Sequence, residues 1–270
     1  EGLGDLYGCR SSDVCSSDLF RRRMRIDVAF APAGLAAQEV AGRTVFVVDI
    51  LRATTTICAA LHHGAKAVVP CASNEDALRL KETLGPDEVV LAGEFNTHPI
   101  PGFQLGNSPR EFTDEKLLRG RFVALTTTNG TRALLAVAHA AKVFPFAAAN
   151  FSLVAQRARD VVENDGDLLV LCSGREGAFA LEDAYAAGRL VHAAIGGRKL
   201  RQGLNDAALA SLDLVRRYRD RWNRPLHLST AGRELTRLGY GGDVADAATQ
   251  DAYPVLAHFH ERRVTVIPAA

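Results

Sequence analysis

The sequence lacks the features that usually identify a membrane, disulfide-bonded or nucleic-acid-binding protein. No apolar run approaches the ~20 residues that a helix needs to cross a bilayer, so we expect a soluble protein with no membrane partner. The five cysteines form no C-x-x-C pair, which disfavours a disulfide framework or zinc site and favours a cytoplasmic setting. With 32 basic and 31 acidic residues, the net charge of +1 provides no broad basic surface for nucleic acid.

Residues 1–23 are excluded from the expected fold. The stretch DVCSSDL at 13–19 resembles a translated sequencing adapter, and it has no apolar centre of the kind that a signal peptide needs. We interpret residues 1–23 as a non-native tail, the less favoured alternative being a disordered extension, and expect the fold to begin at Met24. Residues 24–270 then form a single α/β domain or two closely packed lobes.

From Met24 onward, short β-branched runs alternate with amphipathic stretches. The apolar run Thr44–Val48 fits a buried parallel strand, and Ser73 and Gly85 are placed to begin and end a helix. This alternation predicts an α/β fold with a mostly parallel sheet, helices on both faces and a helical C-terminal region after Gly197. The other predicted strands are 25–29, 67–70, 88–92, 122–126, 143–147, 167–172 and 262–267, and the other predicted helices are 54–62, 131–141, 153–163, 181–195, 205–221 and 229–238.

Polar residues follow four of the predicted strands, at the edge where α/β sheets bind ligands. In the first group, residues 49–56, Asp49 suits a hard cation. Arg52 and the hydroxyls of Thr54 and Thr55 lie at a helix start, which favours an anion. The alternative is that Thr54 only caps the helix and that Asp49 pairs with Arg52.

The second and third groups add a carboxylate and further neutral donors. Glu94 precedes a long loop, 95–114, in which Asn107 and Ser108 belong to a G-N-S-P sequence that is also typical of an ordinary turn. Asn129, Gly130 and Thr131 lie at another predicted helix start. They form either an anion site or an Asn-Gly hairpin turn, which the following helical pattern disfavours.

The fourth group follows the strand that ends at Cys172. Gly174 allows a ligand to approach the backbone, Ser173 supplies a neutral donor, and Arg175 offers planar donors to a phosphate or sulfonate. Glu182 or Asp183 adds a carboxylate to a metal site, unless both acids only interact with the dipole of the helix that starts there. The four groups together suit phosphoryl transfer with Mg²⁺.

The motifs of three familiar phosphate-handling enzyme classes are missing. The D-x-D motif of haloacid-dehalogenase-type enzymes is absent, because Leu51 stands two residues after Asp49. Arg175 stands three positions after Cys172, whereas the C-x5-R motif of cysteine phosphatases places the arginine six positions after the cysteine. No G-x4-G-K-[ST] loop is present, which disfavours an ATP-using kinase.

The same four groups resemble the signature blocks of the 2-phosphosulfolactate phosphatase family. The resemblance is carried by VVDILRATTT at 47–56, GFQLGNSP at 102–109, TTNGT at 127–131 and CSG…LED at 172–183. A further stretch at 232–244 also fits, and the resemblance covers the chain from Met24 to about Pro268.

The resemblance implies a fold peculiar to that family and a Mg²⁺-dependent hydrolase that removes phosphate from 2-phospho-3-sulfolactate, a step toward coenzyme M in methanogens. Two positions depart from the family pattern: Phe95 replaces an arginine after Gly-Glu, and Gln104 replaces an aspartate after Gly-Phe. These departures bear on which acid is bound. The alternatives are therefore a phosphatase for another phosphorylated carboxylate, or a non-catalytic sensor of a phosphorylated or sulfonated metabolite.

We predict that Asp49, Glu94 and Asp183 bind Mg²⁺, while Arg52 and Arg175 neutralise the phosphate and a second anionic group in an order that the sequence leaves open. Attack by water is preferred because no nucleophile motif is complete, and covalent attack by Asp49 is the alternative. The expected partner is a small anionic substrate, and the sequence does not decide whether the chain forms a homo-oligomer. The predicted neutral substrate-binding residues are Thr54, Thr55, Asn107, Ser108, Asn129, Gly130, Thr131, Ser173 and Gly174.

Overall fold

Strands and helices alternate along the chain in the computed structural model, which describes residues 25–164, 166–197 and 203–267. The predicted tail, 1–23, and the predicted start at Met24 lie outside the described residues. The strands are β1 (Ile26–Ala29), β2 (Thr44–Val48), β3 (Ala67–Pro70), β4 (Val89–Phe95), β5 (His98–Pro99), β6 (Phe122–Thr126), β7 (Lys142–Phe146), β8 (Leu168–Cys172), β9 (Ala257–His260) and β10 (Arg263–Val266). The helices are α1 (Ala37–Val40), α2 (Ala53–His62), α3 (Asn74–Leu84), α4 (Glu115–Leu118), α5 (Gly130–Ala136), α6 (Phe151–Glu163), α7 (Leu181–Ile195), α8 (Asp206–Tyr218), α9 (Asn223–Leu228), α10 (Thr230–Arg237) and α11 (Gly241–Ala247).

The described strands form one sheet in the order β1-β8-β2-β7-β9-β10-β3-β6-β4-β5. One parallel group contains β1, β8, β2 and β7, and a second contains β3, β6 and β4. The hairpin of β9 and β10 lies between them and pairs antiparallel with β7 on one side and with β3 on the other. The prediction of a mostly parallel α/β sheet is confirmed.

The central hairpin makes the two parallel groups run in opposite directions along the sheet. The hairpin pairs with each parallel group through one pair of residues. Val143 of β7 pairs with Phe259 of β9, and Val264 of β10 pairs with Val68 of β3. Neighbouring strands rotate by about 20–25°, and this twist accumulates across the hairpin. The carboxyl ends of β2 and β8 in one group, and of β4 and β6 in the other, consequently border the same cavity.

Hydrophobic residues cover both faces of the sheet. In β4, Val90 and Ala92 belong to the main hydrophobic cluster, whereas Val89 and Leu91 belong to a smaller cluster that includes Ala77 of α3. Alternate residues of a strand point to opposite faces, so both faces of β4 are buried. This arrangement confirms the predicted helices on both faces.

Short elements account for the differences between the predicted and observed secondary structure. The loop predicted at 95–114 contains β5 and a 3₁₀ turn at Pro109–Thr113. The sequence of β9 is AHFH, which lacks the β-branched run that identified the other strands. The helix predicted at 131–141 ends at Ala136, because the chain leaves the helix through a turn before β7.

Helices α8 to α11 form the predicted helical C-terminal region. α8 lies against α7 so closely that a Cβ atom added to Gly188 would be 2.2 Å from the carbonyl oxygen of Ser211. Such a contact requires glycine, because backbone atoms cannot move away as a flexible side chain can. None of the described helices is long and apolar enough to cross a membrane.

We expect Gly188→Ala to destabilise the protein by about 1–3 kcal/mol through overpacking, which corresponds to a melting temperature lower by roughly 2–10 °C. Gly241→Ala is the matched control, because an added Cβ there would lie no closer than 3.6 Å to its nearest neighbour. Thermal unfolding followed by circular dichroism measures both variants. Equal melting temperatures in the two variants would contradict the tight contact between α7 and α8.

Candidate functional site

A cavity of about 310 Å³ lies at the carboxyl ends of β2, β4 and β8 and is completed by α7 and α10. Its described wall carries more acidic than basic groups, which gives a formal excess of four negative charges. The charged wall residues are Asp49, Glu94, Glu176, Glu182, Asp183 and Glu234, with Arg52 and Arg175. A di- or trianionic ligand would therefore be repelled unless a cation or protons compensate these charges.

Asp49 follows the last residue of β2 and closes the first turn of α2. The backbone amide of Ala53 donates to its Oδ1 at 3.3 Å, and the hydroxyl of Thr54 donates to its carbonyl oxygen at 2.8 Å. One amide of the helix start that the sequence offered to an anion thus already bonds to the side chain of Asp49. Burial raises the pKa of Asp49 to about 7, and the negative charges of Glu94 and Glu182 act in the same direction.

Asp183, in the first turn of α7, ties that helix to the ends of β2 and β8. Its Oδ1 accepts from the amide of Ile50 at 3.0 Å. Its Oδ2 accepts from the hydroxyl of Ser173 at 3.0 Å and from the amide of Gly174 at 3.2 Å. Burial is the main cause that raises the pKa of Asp183 well above its usual value, and two neighbouring carboxylates add to it.

Glu94 connects the end of β4 to the loop that follows β6. Its Oε1 accepts from the amide of Thr128 at 2.8 Å. Its Oε2 accepts from the amide of Thr97 at 2.6 Å and from the hydroxyl of Thr128 at 3.1 Å. The orientation of this carboxylate is therefore fixed by groups from two different loops.

Gly130 begins α5 at the point where this helix approaches Asp49. A Cβ atom at this position would lie 2.4 Å from the Cβ of Ala53 and 2.7 Å from Oδ2 of Asp49. The glycine therefore allows α2 and α5 to meet beside the carboxylate.

Arg52 is buried in the cavity wall and paired with Asp243 of α11. Its Nη1 donates to Oδ2 of Asp243 at 2.7 Å, while Ser108 donates its hydroxyl to the other oxygen at 2.7 Å. The guanidinium also lies 4.6 Å from the centre of the Tyr240 ring. The alternative pairing of Arg52 with Asp49 does not occur in the described structure. Removing one partner of such a buried pair costs about 3–5 kcal/mol.

Arg175 lies in the loop after β8, where its Nη2 donates to Glu234 of α10. The two side chains are 32% and 29% exposed, compared with 3% for each partner of the Arg52–Asp243 pair. Partly exposed pairs contribute only about 0–1 kcal/mol. The two arginines of the cavity are therefore held with very different strength.

Many of the residues predicted for the site border the cavity. These are Asp49, Arg52, Glu94, Asn107, Asn129, Ser173, Gly174, Arg175 and Asp183. Five others are absent from the described cavity wall: Thr54, Thr55, Ser108, Gly130 and Thr131. Thr54, Thr55 and Thr131 donate their hydroxyls to backbone carbonyls at the starts of α2 and α5, so they order the helices that carry the site.

Sequence reasoning missed two carboxylates that shape the site, Asp243 and Glu234, and named a third, Glu182, only as an alternative to Asp183. Both Glu182 and Asp183 border the cavity, and burial raises the pKa of Glu182. Asp243 lies in the stretch 232–244 that resembled the family, but nothing in the sequence linked it to Arg52. Glu234 lies on a short, strongly polar helix, and no pattern in the sequence distinguished it from a solvated surface residue.

Neither of the two residues that depart from the family pattern, Phe95 and Gln104, borders the cavity in the described structure. Gln104 uses its Oε1 to accept from the backbone amide of Leu91 at 2.8 Å. An aspartate can also accept a hydrogen bond, so this position supports β4. Phe95 is 66% exposed at the end of β4.

The residues of the wall suit a hard cation chemically. No group of three or more His, Cys, Asp or Glu side chains forms a ready-made metal cluster within the described ranges. Mg²⁺, however, is usually held by one or two carboxylates and completes its shell with water and substrate phosphate. The raised pKa of Asp49 and the buried Oδ1 of Asn107, which has no hydrogen-bond partner in the described structure, both fit a cation in this cavity.

One family model and several known proteins match this chain over most of its length. The model of a family described as 2-phosphosulpholactate phosphatase matches residues 29–262. A protein of Symbiobacterium thermophilum named "Probable 2-phosphosulfolactate phosphatase" is 37% identical over 231 residues, which cover 86% of this chain and 97% of the relative. Proteins with the same name from Caldanaerobacter subterraneus and Thermotoga maritima are 34% and 35% identical; the alignments cover 81% and 84% of this chain and 88% and 92% of those relatives. The family predicted from four polar segments is confirmed, and the chain belongs to the 2-phosphosulfolactate phosphatase family.

Proposed function

We propose that this chain is a Mg²⁺-dependent phosphatase that hydrolyses 2-phospho-3-sulfolactate, or a closely similar small phosphorylated acid, to 3-sulfolactate and phosphate. The observation that carries the proposal is the crowding of carboxylates and two arginines around one cavity. Arginines alone would suit an anion-binding protein. Six acids beside them serve no purpose in a simple anion sensor, whereas they suit a site that holds a cation and a phosphate together.

Asp49, Glu94 and Asp183 are the proposed Mg²⁺-binding residues, one or two of them in direct contact with the ion and the rest through coordinated water. Each is already oriented by hydrogen bonds from neighbouring amides or hydroxyls. Such bonds fix the direction in which a carboxylate presents its remaining lone pairs. Asn107 offers a further neutral oxygen from the loop before α4. When bound, the metal would polarise the phosphate and lower the pKa of a coordinated water.

The protein groups have separate tasks in the proposed reaction. Arg52 and Arg175 bring positive charge to the anionic groups of the substrate, and Asn129 borders the same space with an uncharged amide. A carboxyl group with a pKa near 7, such as Asp49 before a cation binds, can exchange a proton with water at neutral pH. We favour direct attack by water on phosphorus, since no complete nucleophile motif accompanies Asp49.

Phosphate release is expected with 2-phospho-3-sulfolactate when Mg²⁺ is present, and it should stop in excess chelator and return when Mg²⁺ is restored. A panel of 2-phospholactate, phosphoglycolate and phosphoserine tests the alternative that another phosphorylated carboxylate is the substrate. Asp49→Asn should lower kcat by at least about 100-fold, since general acid–base or metal-assisted steps are of this size. Activity retained in excess chelator would contradict the metal, and no release from any substrate would contradict the phosphatase.

The raised pKa of Asp49 predicts how the stability of the metal-free protein changes with pH. Between the ordinary pKa of 3.8 and the folded-state pKa of about 7, the unfolded chain binds fewer protons at Asp49 than the folded chain does. The contribution of Asp49 to stability is therefore fully present below pH 3.8 and is lost as the pH rises through about 7. Asp49→Asn removes the buried charge, so at pH 8 the metal-free variant should melt at least ~2–4 °C above the parent.

Differential scanning fluorimetry at pH 5 and pH 8, with and without Mg²⁺, measures this effect. Mg²⁺ should raise the melting temperature of the parent at pH 8 and have little effect on Asp49→Asn. The matched control is Asp213→Asn, which removes the acid of the exposed Arg216–Asp213 pair on α8. A lower melting temperature for metal-free Asp49→Asn at pH 8 would show that the ionised carboxylate stabilises the fold, contrary to this prediction.

A further inference from the structure

The two arginines of the cavity differ in whether a ligand can displace their present partners. Breaking the buried Arg52–Asp243 pair would leave an unpaired charge in the interior, which is strongly unfavourable. The Arg175–Glu234 pair is partly exposed, so water can solvate Glu234 if its partner leaves. An incoming anion can therefore take the place of Glu234 far more easily than that of Asp243.

The surroundings of each arginine support this difference. Arg52 is fixed from two sides, by Asp243 and by the Tyr240 ring, and Asp243 is itself fixed by Ser108. Arg175 has a rigid backbone but a less constrained side chain. Its amide and carbonyl both bond to Ala178 across a tight turn, at 3.0 and 2.9 Å.

The pair of Arg175 and Glu234 also lies where a second substrate anion would arrive. Both residues border the same cavity as the proposed metal ligands, and Arg175 follows directly after Ser173 and Gly174. Glu234 is a carboxylate, so it presents to the guanidinium the same planar pair of oxygens that a substrate carboxylate would present, and two of the three that a sulfonate has.

We propose, as an extension of the proposed function, that Glu234 is an internal anion that holds Arg175 until the sulfonate or carboxylate of the substrate replaces it. Arg52 keeps its partner Asp243 and faces the phosphoryl group as a preorganised charge. The exchange breaks and forms only ion pairs. Glu234 then competes with every ligand that carries a second anion, which makes it a residue that determines specificity.

Glu234→Gln tests the exchange, because glutamine keeps the size and the hydrogen-bond acceptor but removes the competing charge. Three phosphate monoesters separate the anions: 2-phospho-3-sulfolactate has a sulfonate and a carboxylate, 2-phospholactate has only the carboxylate, and isopropyl phosphate has neither. We expect the KM of the variant to fall by about two- to fivefold for substrates whose second anion binds Arg175, equivalent to about 0.4–1 kcal/mol. The KM for isopropyl phosphate should not change, and comparison of the two acids identifies which anion is bound.

Glu115→Gln is the matched control, since it removes the acid of an exposed Arg119–Glu115 pair on α4, outside the described cavity wall. Calorimetric binding of 3-sulfolactate, which carries no phosphate, gives a second readout and should tighten by the same factor in Glu234→Gln. A higher KM in Glu234→Gln would mean that Glu234 positions Arg175 instead of competing for it, and an unchanged KM would exclude competition; either result overturns the proposal. Loss of folding in this variant would also overturn it, because an exchangeable pair contributes little to stability.

Lysine substitutions test the division of roles between the arginines, because lysine keeps the charge but loses the planar fork. Arg175→Lys should raise KM about tenfold for the substrates with a second anion and leave isopropyl phosphate unaffected. Arg52→Lys should lower kcat about tenfold or more for all three esters. The reverse pattern would overturn the assignment. If the parent hydrolyses none of the esters, the proposed phosphatase fails, while the binding of 3-sulfolactate still tests the exchange at Glu234.

Discussion

The constraint on which the rest of this structure depends is the burial of several carboxylates within one small cavity. Asp49, Glu182 and Asp183 are each less than a tenth exposed. Burial raises the pKa of all three, Glu182 also raises the pKa of Asp49, and both Asp49 and Glu182 raise the pKa of Asp183. Water would stabilise these charges better than the protein interior does, so the arrangement costs stability. A fold that keeps such a cluster must hold it rigidly, and hydrogen bonds from strand ends and helix starts do so.

Those hydrogen bonds explain why the unusual sheet matters for the site. Residues at the carboxyl ends of both parallel groups line one cavity, although the two groups run in opposite directions. In a simple parallel sheet, all carboxyl ends would lie at the same edge. Asp183 connects α7 to the ends of β2 and β8, and Glu94 connects β4 to the loop after β6. Each carboxylate therefore connects segments that are distant in sequence. The residues that form the site are thus also residues that hold the fold together.

The C-terminal helices complete the site by supplying a partner for each arginine. Asp243 of α11 pairs with Arg52, and Glu234 of α10 pairs with Arg175. The helical region is therefore part of the cavity and more than a layer that covers the sheet. The exposed fraction of the side chains differs about tenfold between the two pairs, and this difference is the basis on which we propose different roles for two chemically identical guanidinium groups.

The sequence by itself determined the α/β alternation, the family and about half of the residues that border the described cavity, because these depend on local patterns. Continuous apolar runs mark buried strands, and acids, hydroxyls and glycines concentrate where those strands end. The tertiary structure alone decided which of these groups face the cavity. Thr54 and Thr55 were predicted to contact a substrate, yet their hydroxyls bond to carbonyls within their own chain segment, since a buried hydroxyl must find a partner. The tertiary structure also decided the pairing of Arg52 with Asp243, 191 residues apart in the chain, because no local pattern encodes a contact between α11 and the residue that precedes α2.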